Sequence, residues 1–121
     1  GQVIPEFFRK ALNPERFQLI GDGKQTRSFC YVEDHVKMID TAMTKMSNEV
    51  VNIGNDELVT IMDLASRVCK IVGKDFEPEF LPPRSYDTQR RQPGLSLIKR
   101  FYLNDMTNLN TGLEKVYNAL K

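Results

Sequence analysis

The chain has 121 residues, of which 40% are hydrophobic, and this length suits one domain with a substantial core. Its 17 basic and 16 acidic side chains nearly cancel, so charge gives no reason to expect nucleic acid or a membrane surface as the partner. No apolar run approaches the ~20 residues that a membrane span needs. Cys30 and Cys69 stand far apart within apolar patterns, which favours free thiols and a reducing, cytoplasmic compartment.

The first part of the chain predicts a helix, a strand and a glycine turn. Apolar residues at helical spacing run from Val3 to Leu12, with Pro5 in the first turn and Asn13-Pro14 at the end. The segment Phe17 to Ile20 favours a strand. Gly21-Asp22-Gly23 then predicts a turn, because glycine readily adopts positive φ.

A second strand and a second helix are expected next. Alternation from Arg27 to Val32 predicts the strand, and acidic residues follow where a helix N-terminus favours negative charge. A helix from Asp34 to Met46 is expected to bury an apolar stripe, and Glu49 to Ile53 predicts a short strand. The stripe consists of Val36, Ile39, Met43 and Met46.

The second half of the chain predicts two further long helices. Thr60 begins the first as a capping residue for Asp63, and Gly73 ends it. The second runs from Asn108 to Leu120. Between them we expect an edge strand within Phe76 to Leu81, because Pro78 excludes a central one, and a short helix from Leu95 to Tyr102.

These elements predict a single α/β domain, residues 1–121, in which small mixed sheets are covered by helices. A long irregular stretch runs from Pro82 to Gly94, and loops of that length are usually functional or disordered. The chain contains no G-x-G-x-x-G and no P-loop. Its one histidine, His35, and two separated cysteines make a zinc site improbable.

The segment GDGKQTRSFCYVEDHV, which begins at Gly21, resembles a sequence shared by nucleotide-sugar epimerases, dehydratases and decarboxylases. The pattern is G-D-G-x-Q-T-R-x-F-x-Y-V-x-D, and these enzymes are extended short-chain dehydrogenase/reductases. Further similarity occurs in the family's order at Val3-Ile4-Pro5, Val51 to Gly54 and Arg90-Arg91-x-Pro93. The resemblance covers nearly the whole chain and fades after Leu97.

The resemblance implies the C-terminal, substrate-binding portion of an NAD-dependent epimerase/dehydratase fold, without the Rossmann nucleotide-binding start. The parent enzyme would use NAD at a site outside this chain, and the chain alone would be inactive. Tyr117-x-x-x-Lys121 matches the family's catalytic pattern. That pair lies upstream in the family, and Tyr117 belongs to an apolar stripe, so we assign no catalytic residue.

The resemblance also implies a set of substrate-binding residues for a UDP-, dTDP- or GDP-sugar. Arg27 matches the arginine that contacts the diphosphate, and its guanidinium offers a fixed fork of donors beside the glycine turn. Arg91 matches a second arginine that closes over the phosphates or ribose, with Arg90 as a secondary candidate. Positions near the base are matched by Val3, Gln18, Ile20 and Thr60, although core packing would also explain Ile20 and capping would explain Thr60.

The sequence departs from the family's pattern near its end. Gly94 replaces the aspartate of the R-x-P-D turn, which leaves the ribose contact open. The family's Leu-Gly-Trp-x-Pro is absent at 101–105, and its acidic pair is Asn110-Thr111 here. Epimerase, dehydratase and decarboxylase activities are not distinguished by these residues.

Two other interpretations remain. The chain could be a stand-alone, non-catalytic domain that binds a nucleotide or a partner. It could instead bind nucleic acid through Arg84, Arg90 and Arg91, with Tyr86 stacking on bases, but the near-zero net charge argues against this. In the family, the helix from Asp34 and the strand near Val50 lie against the cofactor domain, so we expect this chain to self-associate through them.

Overall fold

The computed structural model describes residues 2–85 and 89–121. Helices and short strands alternate along this part of the chain, as expected for an α/β fold. The elements are α1 (Val3–Leu12), β1 (Gln18–Ile20), β2 (Thr26–Arg27), α2 (Val32–Lys45), β3 (Val59–Thr60), α3 (Ile61–Val72), β4 (Glu79–Leu81), a 3₁₀ helix (Ile98–Arg100) and α4 (Leu109–Leu120).

The strands form two sheets of two strands each within the described residues. Strands β1 and β4 run parallel, with Leu19 opposite Phe80. Strands β2 and β3 run antiparallel, with Arg27 opposite Val59. The predicted class, small mixed sheets covered by helices, is confirmed.

The main core lies where α1, α3 and α4 pack over β1. Phe8, Leu64 and Val68 are fully buried there. The Phe7 and Phe17 rings meet edge to face at 5.0 Å, and the Phe8 ring stacks on Tyr117 at 5.7 Å. The predicted apolar faces of these three helices therefore form one continuous core.

The predicted ends of α3 are both confirmed. Thr60 Oγ1 accepts the backbone N–H of Asp63 at 3.0 Å, which satisfies one unpaired donor of the first turn. Gly73 ends the helix with φ of 89°, and its N–H donates to the Cys69 carbonyl at 2.9 Å. Helix α1 also has the predicted bounds.

The prediction of a strand from Arg27 to Val32 is wrong beyond its first residue. Strand β2 covers Thr26–Arg27, because its partner β3 is equally short, and α2 begins at Val32 rather than Asp34. The predicted strand at Glu49 to Ile53 does not form, since no neighbouring strand pairs with it among the described residues. The edge strand is confirmed but starts only after Pro78, which lacks an N–H donor.

Helix α2 leaves three of the four residues of its predicted apolar stripe exposed, and the fourth, Met46 just after its last turn, is half-buried. Val36, Ile39 and Met43 are exposed, Met43 by 79%. The inward face instead carries Met38, which is fully buried, and Asp34, whose carboxylate accepts the Thr107 N–H at 2.7 Å. The helix packs through the face that carries Met38 and Asp34, so the face with Val36, Ile39 and Met43 lies open to solvent.

Helix α2 contacts a second, smaller hydrophobic core. Its buried members are Met38, Leu95, Ile98 and Tyr102. The predicted helix from Leu95 to Tyr102 shortens to the 3₁₀ helix Ile98–Arg100, although Leu95 and Tyr102 are both buried in this core. No helix in the described ranges is long and apolar enough to cross a membrane.

Candidate functional site

A cleft of about 340 Å³ lies between one face of α1 and the strands β1 and β2; we call it the α1 cleft. One side of the cleft is helical, because Val3, Phe7 and Lys10 fall on the same face of α1. The other side comes from the two strands and from the start of α3. Its lining is Gln2, Val3, Glu6, Phe7, Lys10, Gln18, Leu19, Ile20, Gln25, Arg27, Ser28, Phe29, Ile61 and Arg84.

The fold brings four of the predicted substrate-binding residues into the α1 cleft. They are Val3, Gln18, Ile20 and Arg27. They come from three separate elements, α1, β1 and β2, so their meeting is a property of the tertiary structure. Their role as ligands remains a prediction.

Arg27 lies at the end of β2 and is half-buried. Its Nη1 donates to the Thr26 carbonyl at 2.7 Å, which holds the guanidinium close to the backbone. Pairing of β2 with β3 fixes the strand that carries it. A guanidinium held in this way offers directed donors to an anion in the cleft.

Three other predicted residues lie outside the lining of the α1 cleft. Thr60 caps α3, as its sequence pattern allowed. Arg90 and Arg91 are exposed, although their backbone adjoins β2: Arg90 forms an isolated bridge with Thr26, and the Arg91 N–H donates to the Thr26 carbonyl at 3.3 Å. The Arg90 guanidinium donates a hydrogen bond to Oε1 of the Gln92 side chain.

The α1 cleft carries more positive than negative charge. Lys10, Arg27 and Arg84 line it against the single carboxylate Glu6 among the described residues. The hydrogen bond from Arg9 holds the pKa of the Glu6 carboxyl below its usual range, so Glu6 stays ionised and paired. The excess of cations favours an anionic ligand.

Sequence reasoning missed two of these cations. Lys10 shares the helical face of Val3, three and four residues after Phe7 and Glu6, and that spacing could have identified it. Its Nζ donates to the Gln18 carbonyl at 3.0 Å. The sequence alone connects Arg84 only with a nucleic-acid surface, because nothing in it places this irregular segment beside α1.

A second and larger cavity of about 690 Å³ adjoins the α1 cleft; we call it the loop cavity. The glycine turn and the segment after β4 form its walls. The two cavities share Ile20, Gln25 and Arg84 as lining residues. Gln25 is 8% exposed, and its Nε2 reaches the Ile20 carbonyl at 3.5 Å, so it forms part of the partition.

The glycine turn requires glycine at Gly23. Its φ is 72°, and an added Cβ would lie 3.0 Å from the Met62 Cβ. The Met62 N–H donates to the Gly23 carbonyl at 2.9 Å, which joins the turn to the start of α3. The turn that was expected from sequence thus also anchors a helix.

The structure also describes the surroundings of Tyr117 and His35, two other residues considered from the sequence. Tyr117 stacks on Phe8, and Lys121 Nζ lies 4.8 Å from the centre of the Tyr117 ring, which agrees with the packing role expected for Tyr117. His35 is exposed, and Tyr86 lies outside the described residues. Within residues 2–85 and 89–121, no group of histidine, cysteine and acidic side chains could hold a metal ion.

Comparison with known proteins identifies related sequences. The model of the NAD dependent epimerase/dehydratase family matches residues 1–54. Over 99 residues the chain is 35% identical to UDP-glucuronic acid decarboxylase 1 of Danio rerio, an alignment that covers 82% of this chain and 24% of that protein. The chain thus spans about a quarter of this relative's length.

Solved structures extend the similarity to the whole fold. UDP-glucose 4-epimerase of Thermotoga maritima, solved with UDP-glucose, superposes with a TM-score of 0.88 at 29% identity, covering 100% of this chain and 41% of that one. UDP-glucuronic acid 4-epimerase of Bacillus cereus, in complex with UDP-glucuronic acid and NAD, gives 0.85 at 26% identity, with 97% and 38% coverage. The sequence pattern, the fold and these relatives agree in supporting the extended short-chain dehydrogenase/reductase family of nucleotide-sugar epimerases, dehydratases and decarboxylases as the family of this chain.

Proposed function

We propose that this chain is the nucleotide-sugar-binding portion of an NAD-dependent epimerase, 4,6-dehydratase or decarboxylase, and that the α1 cleft holds the nucleoside diphosphate. The observation that carries the proposal is the meeting of Val3, Gln18, Ile20 and Arg27 in one cleft. The excess of cations around that cleft supports a diphosphate as ligand. The half-buried, hydrogen-bonded guanidinium of Arg27 is its principal anchor.

The proposal divides the cleft between the two ends of the ligand. The apolar side chains of Val3 and Ile20, with the Gln18 amide, suit a planar base that needs both burial and hydrogen bonds. The ribose has no carboxylate partner at Gly94. Discrimination between UDP- and dTDP-sugars by a ribose hydroxyl is therefore not expected from that position.

We further propose that the chain alone has no epimerase, dehydratase or decarboxylase activity and that NAD binds in the parent enzyme outside this chain. The sequence carries no glycine-rich dinucleotide fingerprint. The one Tyr-x-x-x-Lys pattern uses Tyr117 for packing. The relatives named above are about two and a half to three and a half times as long as this chain, which agrees with chemistry located elsewhere. The expected compartment is the reducing cytoplasm.

The test is a ligand-observed NMR titration of the chain with UDP and with uridine. Arg27→Ala should lower UDP affinity about ten- to hundredfold, because a hydrogen bond to a charged group contributes roughly 1.5–3 kcal/mol. Arg27→Lys keeps the charge but loses the guanidinium fork, so its UDP affinity should lie between those of wild type and Arg27→Ala. Uridine binding should not change. Equal UDP affinity in wild type and Arg27→Ala would show that the role of Arg27 is wrong. Arg100 is an exposed arginine outside the cleft, so Arg100→Ala serves as the control.

A stand-alone, non-catalytic domain remains the alternative, and the continuous core around Phe8 and Leu64 favours it, since such a core suits independent folding. The sequence of the gene upstream of Gln2 separates the two. A G-x-x-G-x-x-G followed by a Tyr-x-x-x-Lys would support the enzyme portion. A start codon immediately before Gln2 would support the stand-alone domain.

A further inference from the structure

Arg84 lies in the segment that follows β4 and borders both the α1 cleft and the loop cavity. It is far in sequence from the other cations of the cleft. The fold brings it there because β4 pairs in parallel with β1, which forms part of the cleft wall. The polypeptide that leaves β4 therefore emerges beside Ile20.

Two contacts fix the backbone that leads to Arg84. The Gly21 N–H donates to the Leu81 carbonyl at 2.8 Å, which extends the pairing by one residue. Pro83 then packs against the glycine turn, its Cβ only 3.5 Å from the position that a Cβ on Gly21 would take. Pro83 also fixes its own φ, so Arg84 starts from a restrained position at the rim.

The guanidinium of Arg84 makes no hydrogen bond or ion pair with any residue in the described ranges, and it is exposed. Lys10, by contrast, already donates to the Gln18 carbonyl and lies 5.9 Å from the Phe7 ring centre. Arg84 thus offers its full set of donors at the edge of the cleft. An arginine fork matches the geometry of phosphate oxygens.

We infer that Arg84 is a second diphosphate ligand, acting with Arg27 in the α1 cleft; this rests on the proposed function. A diphosphate presents two phosphate groups, and one guanidinium satisfies only one of them bidentately. Arg91, the second arginine implied by the family resemblance, lies outside the lining of the cleft, whereas Arg84 lies within it. Arg84 also bounds the cleft on the side of the loop cavity, so it limits how far the ligand extends.

The experiment measures UDP and uridine dissociation constants by NMR titration for the 121-residue chain and its variants. Arg84→Ala should weaken UDP binding about fivefold, because an exposed charge pair contributes up to about 1 kcal/mol. Uridine binding should stay unchanged, since uridine has no phosphate. Arg84→Lys should lose less than Arg84→Ala, because the charge remains. Lys24→Ala, which removes a cation from the loop cavity alone, is the matched control.

Two outcomes overturn the inference in different ways. If Arg27→Ala weakens UDP binding but Arg84→Ala loses no more than Lys24→Ala, the role of Arg84 is wrong and the proposed function stands. If the wild-type chain binds no UDP at concentrations up to millimolar, both fail together. Arg84 is exposed, so its variants should keep the wild-type amide spectrum, and that spectrum checks the fold in the same samples.

Discussion

Substituting Gly23 by alanine should destabilise the chain more than the same substitution at Gly73 or Gly94. Two costs combine at this position. A φ of 72° is strained for an L-residue by about 1–2 kcal/mol. The new Cβ would also lie 3.0 Å from the Met62 Cβ, in the first turn of α3, and such overpacking costs about 1–3 kcal/mol. We therefore expect a loss of roughly 2–5 kcal/mol in the free energy of unfolding.

Two other glycines separate these costs. Gly73 has φ of 89° and no atom within 4 Å of an added Cβ, so Gly73→Ala should show only the backbone cost, about 1–2 kcal/mol. Gly94 has neither a positive φ nor a close neighbour, so Gly94→Ala should be neutral or stabilising by up to about 1 kcal/mol. The three variants form a graded series on one fold.

Urea denaturation followed by circular dichroism measures the series. With a slope of about 2 kcal/mol per molar urea, Gly23→Ala should lower the midpoint by roughly 1–2.5 M. Equal midpoints for Gly23→Ala and Gly73→Ala would remove the contact with Met62 from the explanation. A Gly23→Ala midpoint equal to that of Gly94→Ala would refute the whole argument.

Three further predictions concern a helix cap, the thiols and the open face of α2. Thr60→Ala should cost about 1 kcal/mol in urea denaturation, because the Asp63 N–H loses its acceptor, while Thr60→Ser should restore most of it. Burial raises the pKa of both the Cys30 and the Cys69 thiols, so these thiols ionise at lower pH in the unfolded chain than in the folded one. The free energy of unfolding should therefore fall as the pH rises past the ordinary pKa of a thiol. Urea midpoints of wild type and Cys69→Ser across that pH range measure this loss, and an equal pH dependence of the two midpoints would contradict it. The chain should self-associate at micromolar concentration through the exposed face of α2 that carries Ile39 and Met43. Sedimentation measures this: Ile39→Glu should be a monomer, and a monomeric wild type would contradict the prediction.

Helices were predictable where a periodic apolar face and a recognisable end occur together. Helix α3 has both, with Thr60 before it and Gly73 after it, and its bounds were obtained from sequence. Helix α2 shows the limit of this reasoning. Its clearest stripe, which includes Ile39 and Met43, is exposed, because periodicity identifies an apolar face without identifying what covers it.

Strands were less predictable than helices because a strand needs a partner. The alternation of side chains continues from Arg27 to Val32, but β3 pairs only with Thr26 and Arg27, so the strand ends there. The segment from Glu49 to Ile53 has a suitable composition and finds no neighbour among the described residues. Local sequence gives the propensity of a segment and not the presence of its partner.

The candidate site was predictable in part for a related reason. Arg27, Gln18 and Val3 lie in segments with recognisable motifs, and the fold brings them together. Arg84 belongs to an irregular segment, and its place beside the cleft follows from the parallel pairing of β1 with β4 across about sixty residues. A contact of that range leaves no local signal in the sequence.

The division of the hydrophobic residues into two cores has a consequence for how the chain opens. Helix α2 is held by the small core around Met38 and by the hydrogen bond from Thr107 to Asp34, whereas α3 belongs to the main core. In amide hydrogen exchange, α2 should therefore exchange through a low-energy local opening and α3 only through global unfolding. A ligand in the α1 cleft, bordered by Ile61 at the start of α3, would slow exchange in α3 and leave that of α2 unchanged.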